Sequence, residues 1–538
     1  MNVFVKPNEQ SEACFYSAMA RKGALSVNVS EFRVYAVVEK QNDVTRLSRN
    51  SNIKKQRNET MKRAFFTIIL AAVALVGASA QTAVERLSDP SLRLIKSDVW
   101  SLDTLQLDSL YDYWNDYVLA HPKNEQAWRN LFEISNERSV RFWGNMEGAR
   151  AYKQQKNVVG RMEEAIPDSY TFNYCAYESY YPKKVGEPYD WAAYARVHNQ
   201  YAERAIGLLP RDAQANDYDT WIIYMIREKA GQDSRLLTDL LTRYFESGLY
   251  PAEALQYHFN ELQGMDDGAI YIGHVEGDII GKLILQYVLG VHRDKIFYCE
   301  NSAHYRPYIE AVFQQAGLSM DFFEPDSAWA RAEEQEEEYR LIIRYICEHS
   351  TRPVYTSANC INDLILDKGL PEDLKACFYN EGLTMHYSAK PYDNQAVKRR
   401  NVEERYRLEY LRLSFMPNDY SKDSRRFKQP NDLLAFNYLL LLNDLMPYYK
   451  AHSPQRHAWL NSLFTDVFNQ IMRNNVSGYG FGGNMFHINV VTEGGLHYEV
   501  VQEPYLIENP EDDEATRQRK RDEQKAKTRV IIKTEPVK

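Results

Sequence analysis

AIYIGHVEGDIIGKLILQYVLGV, Ala269 to Val291, joins a strand-like run to a helix-like one. Its opening AIYIGHV is a short apolar run of strand length, the pattern of a strand covered on both faces. After Gly277-Asp278 the apolar residues of IIGKLILQYVLGV recur at helical spacing. DKIFYCE from Asp294 reads as a second strand, and SAHYRPYIEAVFQQAG from Ser302 as a helix stopped by Gly317. AEEQEEEYRLIIRYICEH from Ala332 is a helix whose acidic first turn suits the helix dipole. RPVYTSA from Arg352 and LTMHYSA from Leu383 supply two more strands. Alternating strands and helices predict a small Rossmann-like α/β domain over residues 265–392.

Outward from this domain the texture is helical. Residues 82–262 contain three similar breaks, HPKNEQAW at His121, IPDSYTFNY at Ile166 and LPRDAQANDY at Leu209. Each pairs a proline with polar residues suited to starting a new helix. Pro122, Pro167 and Pro210 stand 45 and 43 residues apart, a period that predicts stacked helical hairpins with a groove. YAERAIGLLPRDAQAND from Tyr201 resembles tetratricopeptide repeats in local texture, although the period is longer than their 34 residues. On the other side, residues 395–507 predict helices over NVEERYRLEYLRLSF and NDLLAFNYLLLLNDLM, the latter capped by Asn431. MFHINVVTEGGLHYEVV predicts a β-hairpin about Gly494-Gly495, preceded by GYGFGG as a glycine-rich loop. Residues 508–538 read as a charged flexible tail with a short strand at RVIIKT. The whole chain is thus expected to be mainly α with an α/β part.

Met61 to Gln81 reads MKRAFFTIILAAVALVGASAQ: a basic start, an apolar core and an A-x-A site before Gln81. The apolar run is about 25 Å long as a helix, short of the roughly 30 Å of bilayer hydrocarbon. It predicts a cleaved signal peptide, residues 61–80, with cleavage between Ala80 and Gln81. A leader belongs at an N-terminus, so residues 1–60 are expected to be an upstream extension rather than native sequence. Residues 1–60 hold ten Lys/Arg and six Asp/Glu, and Lys62 and Arg63 follow, so the formal charge of −9 becomes −15 after processing. An acidic body of this kind is repelled by nucleic acid and by anionic lipid, and neither is expected as a partner. No later segment is apolar enough to predict a transmembrane helix, so the expected location is periplasmic or secreted. Thirty-nine Tyr and eight Trp are read first as core wedges. Cys175, Cys299, Cys347, Cys360 and Cys377 remain, an odd number with no C-x-x-C pair. Neither a metal nor a cofactor is predicted, and an oxidising compartment permits one bridge among the last four.

Chemical motifs are sparse. Gly281-Lys282 lacks the glycine and hydroxyl residue of a phosphate loop, having Glu276 and Leu283 there, and no G-x-S-x-G occurs. GYGFGG matches G-x-G-x-x-G but follows a helix and precedes strands, the reverse of the dinucleotide context. His274, Glu276 and Asp278 alternate at the end of the first strand, on one face of an extended segment. There they form a candidate ligand site, with Tyr271 and Tyr305 available to stack on a sugar. The competing reading has Asp278 capping the next helix, Glu276 exposed and His274 satisfied at the edge. No catalytic residue is assigned.

Residues 265–390 resemble part of the soluble C-terminal region of bacterial multi-pass membrane proteins labelled mannosyltransferase-like. The resemblance rests on Gly277-Asp278, on Gln286, Val288, Gly290 and Val291 with Asp294 following, on Arg352-Pro353-Val354-Tyr355, and on Glu381-Gly382-Leu383. It implies a fold more than an activity, because glycosyl transfer in such proteins would belong to the membrane-embedded part. The family's Asn-Asp after Gly-Asp is replaced here by Ile279-Ile280, which leaves the turn poorer in ligands. The sequence therefore points to an exported, non-catalytic interaction or scaffold protein engaging a cell-envelope protein or glycan. The alternative is an enzyme or binding protein for envelope glycans with its site around Glu276-Asp278.

Overall fold

The computed structural model describes residues 83–94, 98–99, 102–141, 146–179, 191–303, 305–324, 327, 335–357, 371–408, 411, 424–473, 478–481, 484–491, 497–504 and 514–533. The leader, its cleavage site at Ala80 and Gln81, and residues 1–60 lie outside these. The chain divides between Pro210 and Arg211 into two compact units. The third of the expected hairpins, beyond Pro210, therefore belongs with the sheet rather than with the helices before it.

In the first unit come α1 (Thr104–Ala120), α2 (Glu125–Arg141), α3 (Met146–Ala165), α4 (Tyr170–Ser179) and α5 (Trp191–Leu208), each packed on the next. α1 starts with a reciprocal cap: Asp103 Oδ1 accepts from Gln106 N at 2.9 Å, and Asp103 N donates to Gln106 Oε1 at 2.8 Å. Its buried stripe is Leu107, Leu110, Trp114 and Val118. The proline breaks work as the sequence suggests. Asn124 Oδ1 accepts from Ala127 N, and Ser169 Oγ from Phe172 N, both at 3.0 Å, so each new helix begins satisfied. Lys123 Nζ then donates to Ala165 O at 2.6 Å and ties the first break to the end of α3. α2 is enclosed on most of its surface, which is why Arg129, Asn130, Glu133 and Glu137 are buried beside Leu131, Phe132 and Ile134. Arg129 pairs with Glu133 at 2.8 Å and lies 3.5 Å from the centre of the Tyr174 ring.

The second unit opens with α6 (Ala215–Glu228), α7 (Ser234–Glu246) and α8 (Ala252–Gly264). A sheet follows: β1 (Ile270–Gly273), β2 (Ile296–Cys299), β3 (Val354–Ser357), β4 (Phe378–Asn380) and β5 (Thr384–Tyr387), in the order β2-β1-β3-β5-β4. β1 pairs in parallel with β2 and β3; β5 runs antiparallel to both β3 and β4. All residues of β1, β2 and β3 are buried, as their continuous apolar runs require. Between β1 and β2 lies α9 (Gly277–Leu283), which passes into a π turn at Ile284–Val288. α10 (Arg306–Ala316) ends on Gly317 at φ 71°, and α11 (Gln335–His349) leads into β3. Mainly α with a small mixed sheet is the architecture the sequence indicated; β4, three residues long, is an addition to it.

Beyond the short α12 (Glu372–Lys375) and the sheet, α13 (Asn394–Arg400) turns through a π turn at Asn401–Arg405, where helix stops. The helix expected from Asn401 thus lies earlier in the chain. α14 (Ser424–His452) runs through both Pro430 and Pro447, so Asn431 is inside it and not its cap. With α15 (Pro454–Arg473) it buries Leu439, Leu442, Leu445, Leu460 and Val467 around Tyr257 of α8 and Tyr406. A second, antiparallel sheet has the order β6-β7-β8-β9, from β6 (Gly478–Phe481), β7 (Asn484–Val491), β8 (His497–Pro504) and β9 (Arg529–Lys533). The expected hairpin is β7 with β8, while GYGF is a strand and not a loop. The segment expected as a flexible tail holds α16 (Glu514–Lys527) and β9. Among the described residues no helix is long and apolar enough to cross a membrane.

Candidate functional site

Strand order reverses at β1, which has β2 on one side and β3, reached later, on the other. Ligands of open α/β sheets bind outside the carboxyl ends of strands at such a point. His274, Glu276 and Asp278 stand there, and the structure gives each of them an internal partner. Asp278 Oδ2 accepts from His274 N at 2.9 Å and from Val275 N at 3.1 Å. The carboxylate thus binds back to the strand end instead of capping the helix ahead. His274 Nδ1 lies 2.8 Å from Glu300 Oε2, and His274 O accepts from Asn301 N at 3.0 Å, so β1 and β2 are fastened beyond their last ladder bond.

Glu276 is only 2% exposed, which corrects its expected place in solvent. Arg227 reaches it from α6, with Nε 2.8 Å and Nη2 2.6 Å from Oε1, and Ser302 Oγ donates to the same oxygen. Asn301 Nδ2 donates to Oε2 at 3.3 Å. Burial works to raise the Glu276 carboxyl, but the Arg227 guanidinium and the Ser302 hydroxyl outweigh it and hold it below its ordinary value. Tyr305 is half-buried, with the Arg227 guanidinium 5.0 Å from its ring centre. Tyr271 is 1% exposed and faces the Lys282 ammonium at 4.1 Å, so its ring is no platform for a sugar. Cys299, beside this cluster, is buried; burial and the charges of Glu276 and Asp278 push its thiol well up.

A second constellation escaped the sequence reading. Lys282 of α9 is fully buried, with Nζ 2.7 Å from Glu261 Oε2, 3.0 Å from His258 Nδ1 and 2.7 Å from Asp278 O. His258 Nδ1 is also 2.9 Å from Glu261 Oε2. Burial first, then the Lys282 charge, lowers the His258 imidazole. Burial raises the Glu261 carboxyl while Lys282 and His258 lower it more, leaving it below its ordinary value. This is a dry polar clamp between α8 and α9. A methyl on Gly281 would overlap the His258 ring and the Tyr250 hydroxyl, so the glycine sets how closely the helices approach. A lysine within the apolar run IIGKLIL, and His258 with Glu261 at i,i+3, were the available signals.

Gln286, Gly290, Val291, Asp294, Arg352, Glu381 and Gly382 are also fasteners. Gln286 Nε2 donates to His292 O and Lys295 O, both at 2.8 Å, and closes the loop before β2. Gly290 has φ 71°, and Val291 N donates to Leu285 O at 2.9 Å. Asp294 Oδ2 accepts from Gly268 N at 2.6 Å, and Arg352 Nη1 donates to Gly268 O at 3.0 Å. Gly382, at φ 129°, turns the β4–β5 hairpin against the Tyr406 hydroxyl. Buried Glu381 accepts at Oε1 from the Tyr392 hydroxyl at 2.6 Å, and its carbonyl from Asn401 Nδ2 at 2.8 Å.

Among the described residues no group of His, Cys, Asp and Glu side chains is arranged to hold a metal ion. Compared with family models, with curated proteins and with solved structures, the chain finds no match in any of the three.

Proposed function

We propose that the protein is an exported, non-catalytic interaction or scaffold protein of the bacterial cell envelope. In this reading residues 61–80 are a signal peptide removed before Gln81. The helices on either side of the proline breaks are tetratricopeptide-like hairpins whose groove receives an envelope protein or glycan. The Rossmann-like sheet is a companion domain similar to the soluble region of the mannosyltransferase-like proteins. One observation carries the non-catalytic reading: His274, Glu276 and Asp278 are each committed to Glu300, Arg227 or strand-end amides. A site for glycan chemistry around Glu276-Asp278 has less support, since it would first have to break a buried ion pair.

The test is production of the chain from Met61 in a Gram-negative host, with fractionation and N-terminal sequencing. A periplasmic product beginning at Gln81 is expected, and an intact cytosolic product overturns export. Cross-linking in the native cells, followed by mass spectrometry, then reads the partner. Substituting the exposed Asp112, Asp116 and Leu119 of α1 should alter recovery if the helical groove is the binding surface. Turnover of an envelope glycan that depends on the chain would overturn the non-catalytic reading, and its loss in Glu276→Gln would place the chemistry at Glu276.

A further inference from the structure

Arg344 of α11 donates through Nη2 to Asp373 Oδ1 at 2.9 Å, and through Nη1 to Glu348 Oε1 at 2.9 Å. This joins α11 to α12, just before the edge strand β4. One turn beyond Arg344 is Cys347, buried with Ile343 and Ile346. Four residues beyond Asp373 is Cys377, partly exposed, with Sγ 3.4 Å from Asp373 O. Its carbonyl accepts from Ser388 N at 2.8 Å, which holds it beside Tyr387 of β5. Tyr387 feels both thiols as well as Glu348 and Arg344. Burial pushes the Cys347 thiol up, and Glu348 and the Cys377 sulfur push in the same direction. The other described cysteines are placed elsewhere: Cys175 lies in the first unit, and Cys299 Sγ is 3.7 Å from His274 O.

We propose that Cys347 and Cys377 are a dithiol–disulfide pair, a redox clasp that locks the edge hairpin β4–β5 onto α11. The co-reactant is a disulfide oxidant, either a small-molecule disulfide or the active disulfide of a dithiol oxidase. The exposed Cys377 thiolate attacks one sulfur of the oxidant, forming a mixed disulfide and expelling one thiolate. Cys347 then attacks the Cys377 sulfur and expels the second thiolate. The two protons released by the cysteines end on the two expelled thiolates, so two cysteines are oxidised and one disulfide is reduced. Because Cys347 is buried and held protonated, the second step is the slow one. The bridge closes a loop of about 30 residues and anchors the chain one residue before the edge strand β4. The pairing follows from the Arg344–Asp373 contact and the hydrogen bonds that fix Cys377, and does not require export.

The experiment uses the purified full chain in glutathione mixtures of set ratio, with acid trapping and peptide mapping. Pro353 blocks tryptic cleavage after Arg352, so the map is read in both the parent and the Cys360→Ser chain. A Cys347–Cys377 linked peptide is expected, with loss of two thiols and a rise in melting temperature of about 5 °C that reductant reverses. Cys347→Ser should leave a glutathione adduct on Cys377 with no rise. Cys377→Ser, at a partly exposed position, should leave Cys347 unmodified and the melting temperature the same in both mixtures. An adduct on Cys377 with Cys347 still free, a link from Cys377 to Cys360, or no loss of thiol in the parent and the Cys360→Ser chain overturns the proposal.

Discussion

Two glutamates of the second unit are almost equally hidden and have opposite fates. Glu276, beyond the end of β1, is 2% exposed and has Arg227, Ser302 and Asn301 around it. Glu338, in the first turn of α11, is 6% exposed and has no hydrogen-bond or cationic partner among the described residues. The first is held below its ordinary value; burial pushes the second up to about 7. Burial therefore does not decide the charge state, and the delivery of a cation from another element does. Arg227 arrives at Glu276 from 49 residues earlier in the chain.

The strongest way to break this contrast is to turn Glu276 into a second Glu338. Arg227→Met strands a buried carboxylate and is expected to cost about 3–5 kcal/mol in urea unfolding at pH 7. The same variant sharpens the acid limb. Because the Glu276 value is lowered on folding, its contribution is present above the unfolded value near 4.5 and is lost as pH falls below that. The parent chain should lose stability there; Arg227→Met should lose less, since its carboxyl no longer binds protons more weakly folded than unfolded. An unfolding curve with the same slope against pH in both chains would contradict the role given to the ion pair.

Glu338→Gln is the complementary change, with a smaller effect of opposite sign. Here the folded value is raised, so the unfolded chain ionises first, and stability falls as pH rises from about 4.5 through about 7. Some solvent still reaches the carboxyl, which reduces the effect. The variant should be about 2 kcal/mol more stable than the parent at pH 8 and nearly equal to it at pH 4. Equal stability at pH 8 would mean that Glu338 finds a counter-charge in solution.

The smallest expected effect concerns a local device that needs no distant partner. Tyr117–His121, Tyr345–His349 and Tyr448–His452 each end a helix with rings stacked at 4.1–4.4 Å. In each the His Nδ1 lies 2.8–3.2 Å from the tyrosine's own carbonyl, so the imidazole caps the last turn. Replacing any one of the three histidines by Ala should cost about 0.5 kcal/mol, read as a small shift of the thermal midpoint. A loss as large as that of Arg227→Met would show that the stack does more than finish the helix.

The same division, between what is local and what is brought from afar, explains how far the sequence could be read. β1, β2 and β3, buried on both faces, were legible from their short apolar and aromatic runs, and β5 was legible although only Thr384 of it is buried. β4 was not, since Phe378–Asn380 is too short for any periodicity and is made a strand by its register with β5. GYGF looked like a loop because glycine disfavours strands, yet pairing with β7 places it in the sheet. At the candidate site the sequence singled out Glu276 and Asp278 and gave Glu276 the wrong surroundings. Nothing near residue 276 announces an arginine at 227, and Lys282 passed as one polar residue in a greasy helix because Glu261 and His258 lie on another.

The central place of β1 has a consequence for how this unit opens. All four of its residues pair with β2 on one edge and three of them, Ile270, Tyr271 and Ile272, with β3 on the other, and Ile270 meets Val354 across 84 positions of chain. Unzipping either neighbour alone leaves some of its amides bonded to the other. Deuterium should therefore enter the backbone at Tyr271 and Ile272 last, when the whole layer comes apart at once, while the rim at β4 exchanges through brief partial openings.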